Sequence, residues 1–74
     1  MKQAKEIRNG SLYFNSLNDR VERALGKVNT RRVWTGFHEN NPSATRVKNL
    51  RKASTDEIVD YLGASEMLNS VPAL

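Results

Sequence analysis

The sequence contains no cysteine among its 74 residues. This absence excludes disulfides and thiolate metal sites as sources of stability, although a chain this small is near the lower limit at which a single apolar core holds a fold. About 38% of the residues are hydrophobic. We therefore expect one small domain, residues 1–74, held by efficient helix packing or by oligomerisation. Residues 1–10 would form a helical turn or a basic tail, and residues 72–74 a frayed end.

Long apolar runs are also missing. No uncharged apolar stretch approaches the roughly 18–20 residues that a membrane span needs. The basic N-terminus is not followed by the apolar segment of a signal peptide. These features predict a cytoplasmic protein with no membrane partner.

Groups that could carry catalysis are scarce. The single histidine, His38, stands beside Glu39 in a polar stretch, where a solvated side chain is far more common than a catalytic one. The sequence has no Gly-rich phosphate loop and no pair of ligands at metal-binding spacing. We therefore expect no enzyme, no cofactor, no metal site and no small-molecule substrate.

Positive charge is absent from the last part of the chain. Residues 1–53 contain all twelve Lys and Arg residues and four acids, a net charge of +8. Residues 54–74 contain four acids and no basic residue, a net charge of −4. Such asymmetry indicates a polyanionic partner, self-association, or both.

The spacing of apolar residues predicts an all-α bundle of four to five short helices. Steps of three and four give an amphipathic stripe in residues 11–28, formed by Tyr13, Leu17, Val21, Ala24, Leu25 and Val28. Residues 28–37 fit a short helix or a strand, and we favour the helix because a lone strand has no obvious partner.

The second half of the chain carries helix-start signals. Asn41 followed by Pro42 favours a helix beginning there, with an inner side made of Ala44, Val47, Leu50 and Ala53. Ser54 and Glu57 have the spacing of a capping box. The helix that they start is predicted to end at Gly63, before a further short turn that carries Met67 and Leu68.

Residues 21–34 read VERALGKVNTRRVW, with a Leu-Gly turn, a polar cap and a second inward Val. This stretch resembles the helix-turn-helix of small phage-type repressors. The structural positions implied by the resemblance are Val21, Leu25, Gly26, Val28 and Val33. It also implies that residues near the second helix face the DNA major groove, namely Thr30, Arg31, Arg32 and Trp34, and that either Arg pairs with guanine.

Basic residues form three clusters in the sequence. Their charges could neutralise nucleic-acid phosphates or simply form solvated faces. The first cluster comprises Arg20, Arg23 and Lys27, the second Arg31 and Arg32, and the third Lys48, Arg51 and Lys52. Arg46 lies on the same predicted helix as the third cluster and is a further candidate for binding nucleic acid. Trp34, next to the second cluster, either stacks on a base or packs in the core.

These features favour a small nucleic-acid-binding protein, most readily a DNA-binding transcriptional regulator that forms a homodimer through its apolar C-terminal segment. RNA is not distinguished from DNA. The alternative is a protein-binding adaptor or inhibitor anchored by Trp34, Phe37 and Met67. Convergence of the second and third clusters on one face would favour nucleic acid. Scattered cations, or cations paired with the C-terminal acids, would favour the adaptor.

Overall fold

The computed structural model describes residues 3–37 and 40–70, and the side chains of residues 3–37 and 41–63. Within these residues the chain forms one antiparallel sheet followed by one α-helix. The strands are β1 (Leu12–Asn15), β2 (Arg20–Lys27), β3 (Arg32–Phe37), β4 (Asn40–Arg46) and β5 (Leu50–Lys52), and the helix is α1 (Thr55–Ser70). Short 3-10 turns span Ala4–Glu6 before β1 and Val47–Asn49 between β4 and β5.

The strand order is β4-β3-β2-β1-β5. The first four strands form a meander in which each strand pairs with the next. After β4 the turn Val47–Asn49 redirects the chain, and β5 pairs with the free side of β1. The backbone carbonyl of Asn49 accepts hydrogen bonds from the Ser16 amide at 2.9 Å and from the Ser16 hydroxyl at 3.1 Å. This contact ties the turn after β4 to the end of β1.

The all-α prediction is therefore wrong, and so is the helix-turn-helix. Residues 21–34 occupy most of β2, the connecting loop and the start of β3. The supposed Leu25-Gly26 turn lies inside β2, where the pairing with β3 shifts register between Ala24 and Gly26. Such a bulge bends a strand without ending it.

The helical stripe predicted over residues 11–28 is also wrong, because polar residues occupy part of the buried sheet face. Tyr13 and Ala24 are buried, and Asn15 and Glu22 are buried beside them on the same face. These polar residues break the hydrophobic alternation that usually reveals a strand. Leu17, which completed the stripe, is 73% exposed in the turn between β1 and β2.

That turn, residues 16–19, contains the weak helix formers that interrupt the predicted helix. The Asn15 side-chain carbonyl accepts a hydrogen bond from the Leu17 amide at 3.0 Å, which is a local alternative to helical hydrogen bonding. Asp19 has φ of 54°, a left-handed conformation that Asp adopts more readily than most residues. The chain therefore reverses direction here instead of continuing as a helix.

The helix predicted after Asn41-Pro42 is replaced by β4, the turn Val47–Asn49 and β5. Pro42 fits an edge strand, where one row of backbone N–H groups needs no partner in the sheet. Val47 and Leu50 are buried as predicted, whereas Ala44 is exposed. The predicted set of buried residues is thus partly confirmed, although the predicted helix is wrong.

The capping box at the start of α1 is confirmed. The Ser54 amide donates to Glu57 Oε1 at 2.7 Å, and the Glu57 amide donates to Ser54 Oγ at 3.2 Å. The helix continues through Gly63 to Ser70 instead of ending at Gly63. The side chains of Met67 and Leu68, proposed for dimerisation, lie outside the described part, as do residues 71–74.

The core lies between the inner sheet face and the N-terminal segment, and consists of Ala4, Ile7, Tyr13, Ala24, Val33, Val47 and Leu50. Helix α1 packs near β2 and β3 through Tyr61, whose ring meets Phe37 edge-on at 5.7 Å. Arg23 stacks over the Tyr61 ring at 5.6 Å. No helix in residues 3–37 or 40–70 has the length and apolar content required to cross a membrane.

Candidate nucleic-acid interface

A groove of about 820 Å³ lies at the end of the sheet where β2 turns into β3. One wall is the loop between these strands with the first residue of β3, and the other is the end of β4 with the turn that follows it. The lining residues are Gln3, Asn29, Thr30, Arg31, Arg32, Arg46 and Lys48. We call this site the basic groove, because its described lining contains four cations and no acid.

Backbone hydrogen bonds hold the loop of the basic groove in place. The Asn29 side-chain carbonyl accepts from the Arg31 amide at 2.9 Å. The carbonyl of Thr30 accepts from the Ala4 amide at 2.7 Å, and the carbonyl of Arg31 accepts from the Val47 amide at 2.9 Å. The loop is therefore fixed to the N-terminal turn and to the turn after β4, which brings residues distant in sequence to one site.

Two arginines in the groove face each other across neighbouring strands. Arg32 and Arg46 are direct cross-strand partners in the β3–β4 pairing. Like charges in such positions destabilise a sheet. Within the described residues, the ion pairs involve neither of these arginines, nor Arg31 or Lys48. A bound anion would relieve this repulsion.

Trp34 lies two residues along β3 from Arg32, on the same outer face of the sheet. Its side chain is 43% exposed, whereas the flanking Val33 and Thr35 are 1% exposed on the inner face. The interpretation of Trp34 as a core residue is therefore wrong. Its cross-strand partners, Gly26 and Ala44, have small side chains or none.

The first basic cluster does not join the groove. Arg20 donates from Nε to Glu22 Oε2 at 2.8 Å and stacks over Phe37 at 5.3 Å. Arg23 donates to the carbonyl of Gly10 at 2.6 Å in addition to its contact with Tyr61. Both arginines have structural partners within the fold. Lys27 is exposed at the end of β2.

The end of the third cluster lies apart from the groove as well. Arg51 forms two hydrogen bonds with Glu57, each of 2.8 Å, and stacks over Phe14 at 4.3 Å. Hydrogen bonds from Arg51, and then from the Ser54 backbone, lower the pKa of Glu57 to about 2. Lys52 lines a second cavity of about 650 Å³ next to α1. Of the five cations in the second and third clusters, Arg31, Arg32 and Lys48 converge on the groove, which favours nucleic acid. Arg51 is paired with a C-terminal acid and Lys52 lies apart, which favours the adaptor alternative.

Sequence reasoning missed a buried network centred on Glu22. Glu22 Oε1 accepts from Asn15 Nδ2 at 2.9 Å and from Thr35 Oγ1 at 2.7 Å. Glu22 Oε2 accepts from Asn18 Nδ2 at 2.9 Å, beside its contact with Arg20. All of these groups point at a carboxylate that is 1% exposed.

Glu22 is ionised at neutral pH despite its burial. Burial alone would raise the pKa of Glu22, but hydrogen bonds from Asn15, Arg20, Asn18 and Thr35 outweigh it and hold the pKa below its usual value. The sequence signal for the network is the position of Glu22 two residues before Ala24, because alternate residues of a strand share one face. This signal can be used only once residues 20–27 are known to form a strand.

Comparison with protein-family models, with curated proteins and with solved structures finds no match. In the described residues, no group of three His, Cys, Asp or Glu side chains is placed to hold a metal ion.

Proposed function

We propose that this protein binds nucleic acid through the basic groove. The observation that carries the proposal is the convergence of four cations from two separate segments on one groove, with no carboxylate among the described residues that line it. Arg32 and Arg46 are held in direct opposition there. This arrangement suits phosphate groups, which guanidinium side chains bind with two parallel hydrogen bonds.

A polyanion fits the groove better than a small anion. The cations line an extended surface at the end of the sheet, and a chain of phosphates can meet several of them at once. Residues 54–74, which include α1, contain four acids and no Lys or Arg. Binding would therefore use the end of the sheet and not a recognition helix. The proposal places the protein in the cytoplasm, where nucleic acid is available.

The first test is the salt dependence of oligonucleotide binding. A fluorescein-labelled 15-nucleotide strand, followed by anisotropy, should bind at 50 mM salt and weaken strongly by 200 mM. If four cations each meet one phosphate, the slope of log affinity against log salt is about −3. Polyglutamate, which has negative charge without phosphate geometry, should compete poorly.

The adaptor alternative predicts a different result in the same experiment. An adaptor would not bind the oligonucleotide at 50 mM salt, and it would retain one stoichiometric protein partner after nuclease treatment. Failure of binding at low salt would overturn the proposed function.

A further inference from the structure

We propose that the ligand is single-stranded and that Trp34 is the stacking platform for one of its bases. The phosphates next to that base would lie against Arg32 and Arg46. This inference rests on the proposed function and adds the class of nucleic acid and the position of a base.

The geometry of β3 places an aromatic ring beside the cations of the groove. Arg32 and Trp34 are alternate residues of one strand, so their side chains leave the same face at positions about 7 Å apart. Arg46 stands opposite Arg32 on that face. A strand of nucleic acid that crosses this face can meet the ring with a base and the guanidinium groups with its phosphates.

The cross-strand neighbours of Trp34 leave its side chain partly exposed. Ala44 is its partner on β4, and Gly26 is its partner on β2. Gly26 has no side chain, and no atom outside its own chain neighbours lies within 4 Å of the position where its Cβ would stand. The cross-strand positions beside Trp34 therefore hold no side chain on the β2 side and only a methyl group on the β4 side. A planar base can occupy such space, and stacking of this kind tolerates any base.

A duplex fits this surface less well. In a duplex the faces of the bases are stacked against each other, and proteins read only the base edges in the grooves. The single α-helix in the described part of the chain carries no cation that could place it in a major groove. Exposed aromatic rings beside cations are instead typical of surfaces that bind single strands.

Substitution of Trp34 separates stacking from charge. We expect Trp34→Ala to weaken binding to a 15-nucleotide thymidine strand by about 5- to 100-fold, whereas Trp34→Phe retains most of the affinity. The salt slope should stay the same in both variants, because the phosphate contacts remain.

An oligouridine strand tests RNA in the same way, and a duplex of matched length should bind more weakly than either single strand. Trp34 is the only tryptophan, so quenching of its fluorescence by the single strand reports stacking directly.

The outcomes distinguish this inference from the proposed function. Normal binding by Trp34→Ala, with weak binding by the double variant Arg32→Ala/Arg46→Ala, would overturn stacking and leave nucleic-acid binding intact. Preference for the duplex would overturn the single-strand assignment. No binding by the unaltered protein would overturn both. If circular dichroism shows that Trp34→Ala does not fold, Trp34→Phe and the quenching of Trp34 in the unaltered protein decide the question.

Discussion

Glu22→Ala should lower the free energy of unfolding by about 3 kcal/mol, a large loss for a single substitution. Removal of the carboxylate leaves Asn15 and Thr35 buried without the acceptor that they now share. It also leaves Arg20 without its ion-pair partner and opens a small cavity. Urea unfolding followed by circular dichroism measures the loss.

Two control variants locate the cause of that loss. Asp60→Ala removes an exposed acid from α1 and should change the stability by less than about 0.5 kcal/mol. Glu22→Gln keeps the volume and one acceptor oxygen but turns an NH₂ group toward existing donors, so an intermediate loss is expected. Equal stability of Glu22→Ala and Asp60→Ala would show that the network does not stabilise the fold.

The network also predicts a pH dependence with a definite sign. The pKa of Glu22 is lower in the folded protein than its ordinary value of 4.5. Its contribution to stability is therefore complete above pH 4.5 and is lost as the pH falls toward the folded pKa. The pKa of Glu57, at the surface, is also lowered in the folded protein. The difference between the unaltered protein and Glu22→Gln isolates the part due to Glu22, and it should shrink as the pH falls below 4.5.

The double substitution Arg32→Ala/Arg46→Ala should reduce the affinity for single-stranded oligonucleotide by about 100-fold at low salt. Loss of two phosphate contacts should also make the salt slope shallower by about 1.5. The free energy of unfolding should remain equal or rise, because the substitution removes two like charges that face each other. Anisotropy and urea unfolding measure these two effects separately.

A matched variant tests whether position or total charge matters. Arg8→Ala/Lys52→Ala removes the same charge from the second cavity, beside α1. We expect it to weaken binding by less than about threefold, since general attraction is screened within about 10 Å at 0.1 M salt. Equal losses in the two variants would contradict a specific role for the basic groove.

One local signal, the capping box at the start of α1, predicted local structure correctly. Ser54 and Glu57 are three residues apart, and both hydrogen bonds of their capping box lie within one helical turn. The strand at residues 32–37 could not be identified in this way, because a strand needs partners and the sequence does not show that β2 and β4 are strands. The helix was favoured there because no partner strand was evident. In the structure the segment has a partner on each side.

The buried polar residues explain the wrong fold class. Glu22 and Thr35 occupy inner-face positions where an apolar residue would have shown the two-residue period. Without that period, the chance spacing of Leu17 and Val28 completed a helical pattern. A sequence pattern records hydrophobicity, and it cannot show that a carboxylate will find enough donors to be buried.

The sequence allowed the residues of the candidate site to be named, but it did not show which of them lie together on the surface. Arg31, Arg32 and Lys48 were named from the sequence, and their convergence depends on the β3–β4 pairing. Arg51 was grouped with Lys48 on a predicted helix face. In the sheet it pairs instead with Glu57, away from the groove. Their shared role in binding remains a prediction.

The most direct measurement is a nuclear magnetic resonance titration of the ¹⁵N-labelled protein with a single-stranded oligonucleotide. Binding at the basic groove should shift the amides of residues 29–34 and 46–48 and the indole N–H of Trp34, while the amides of residues 55–63 in α1 stay unchanged. Shifts confined to α1 and the second cavity, or no shifts at low salt, would contradict nucleic-acid binding at the basic groove.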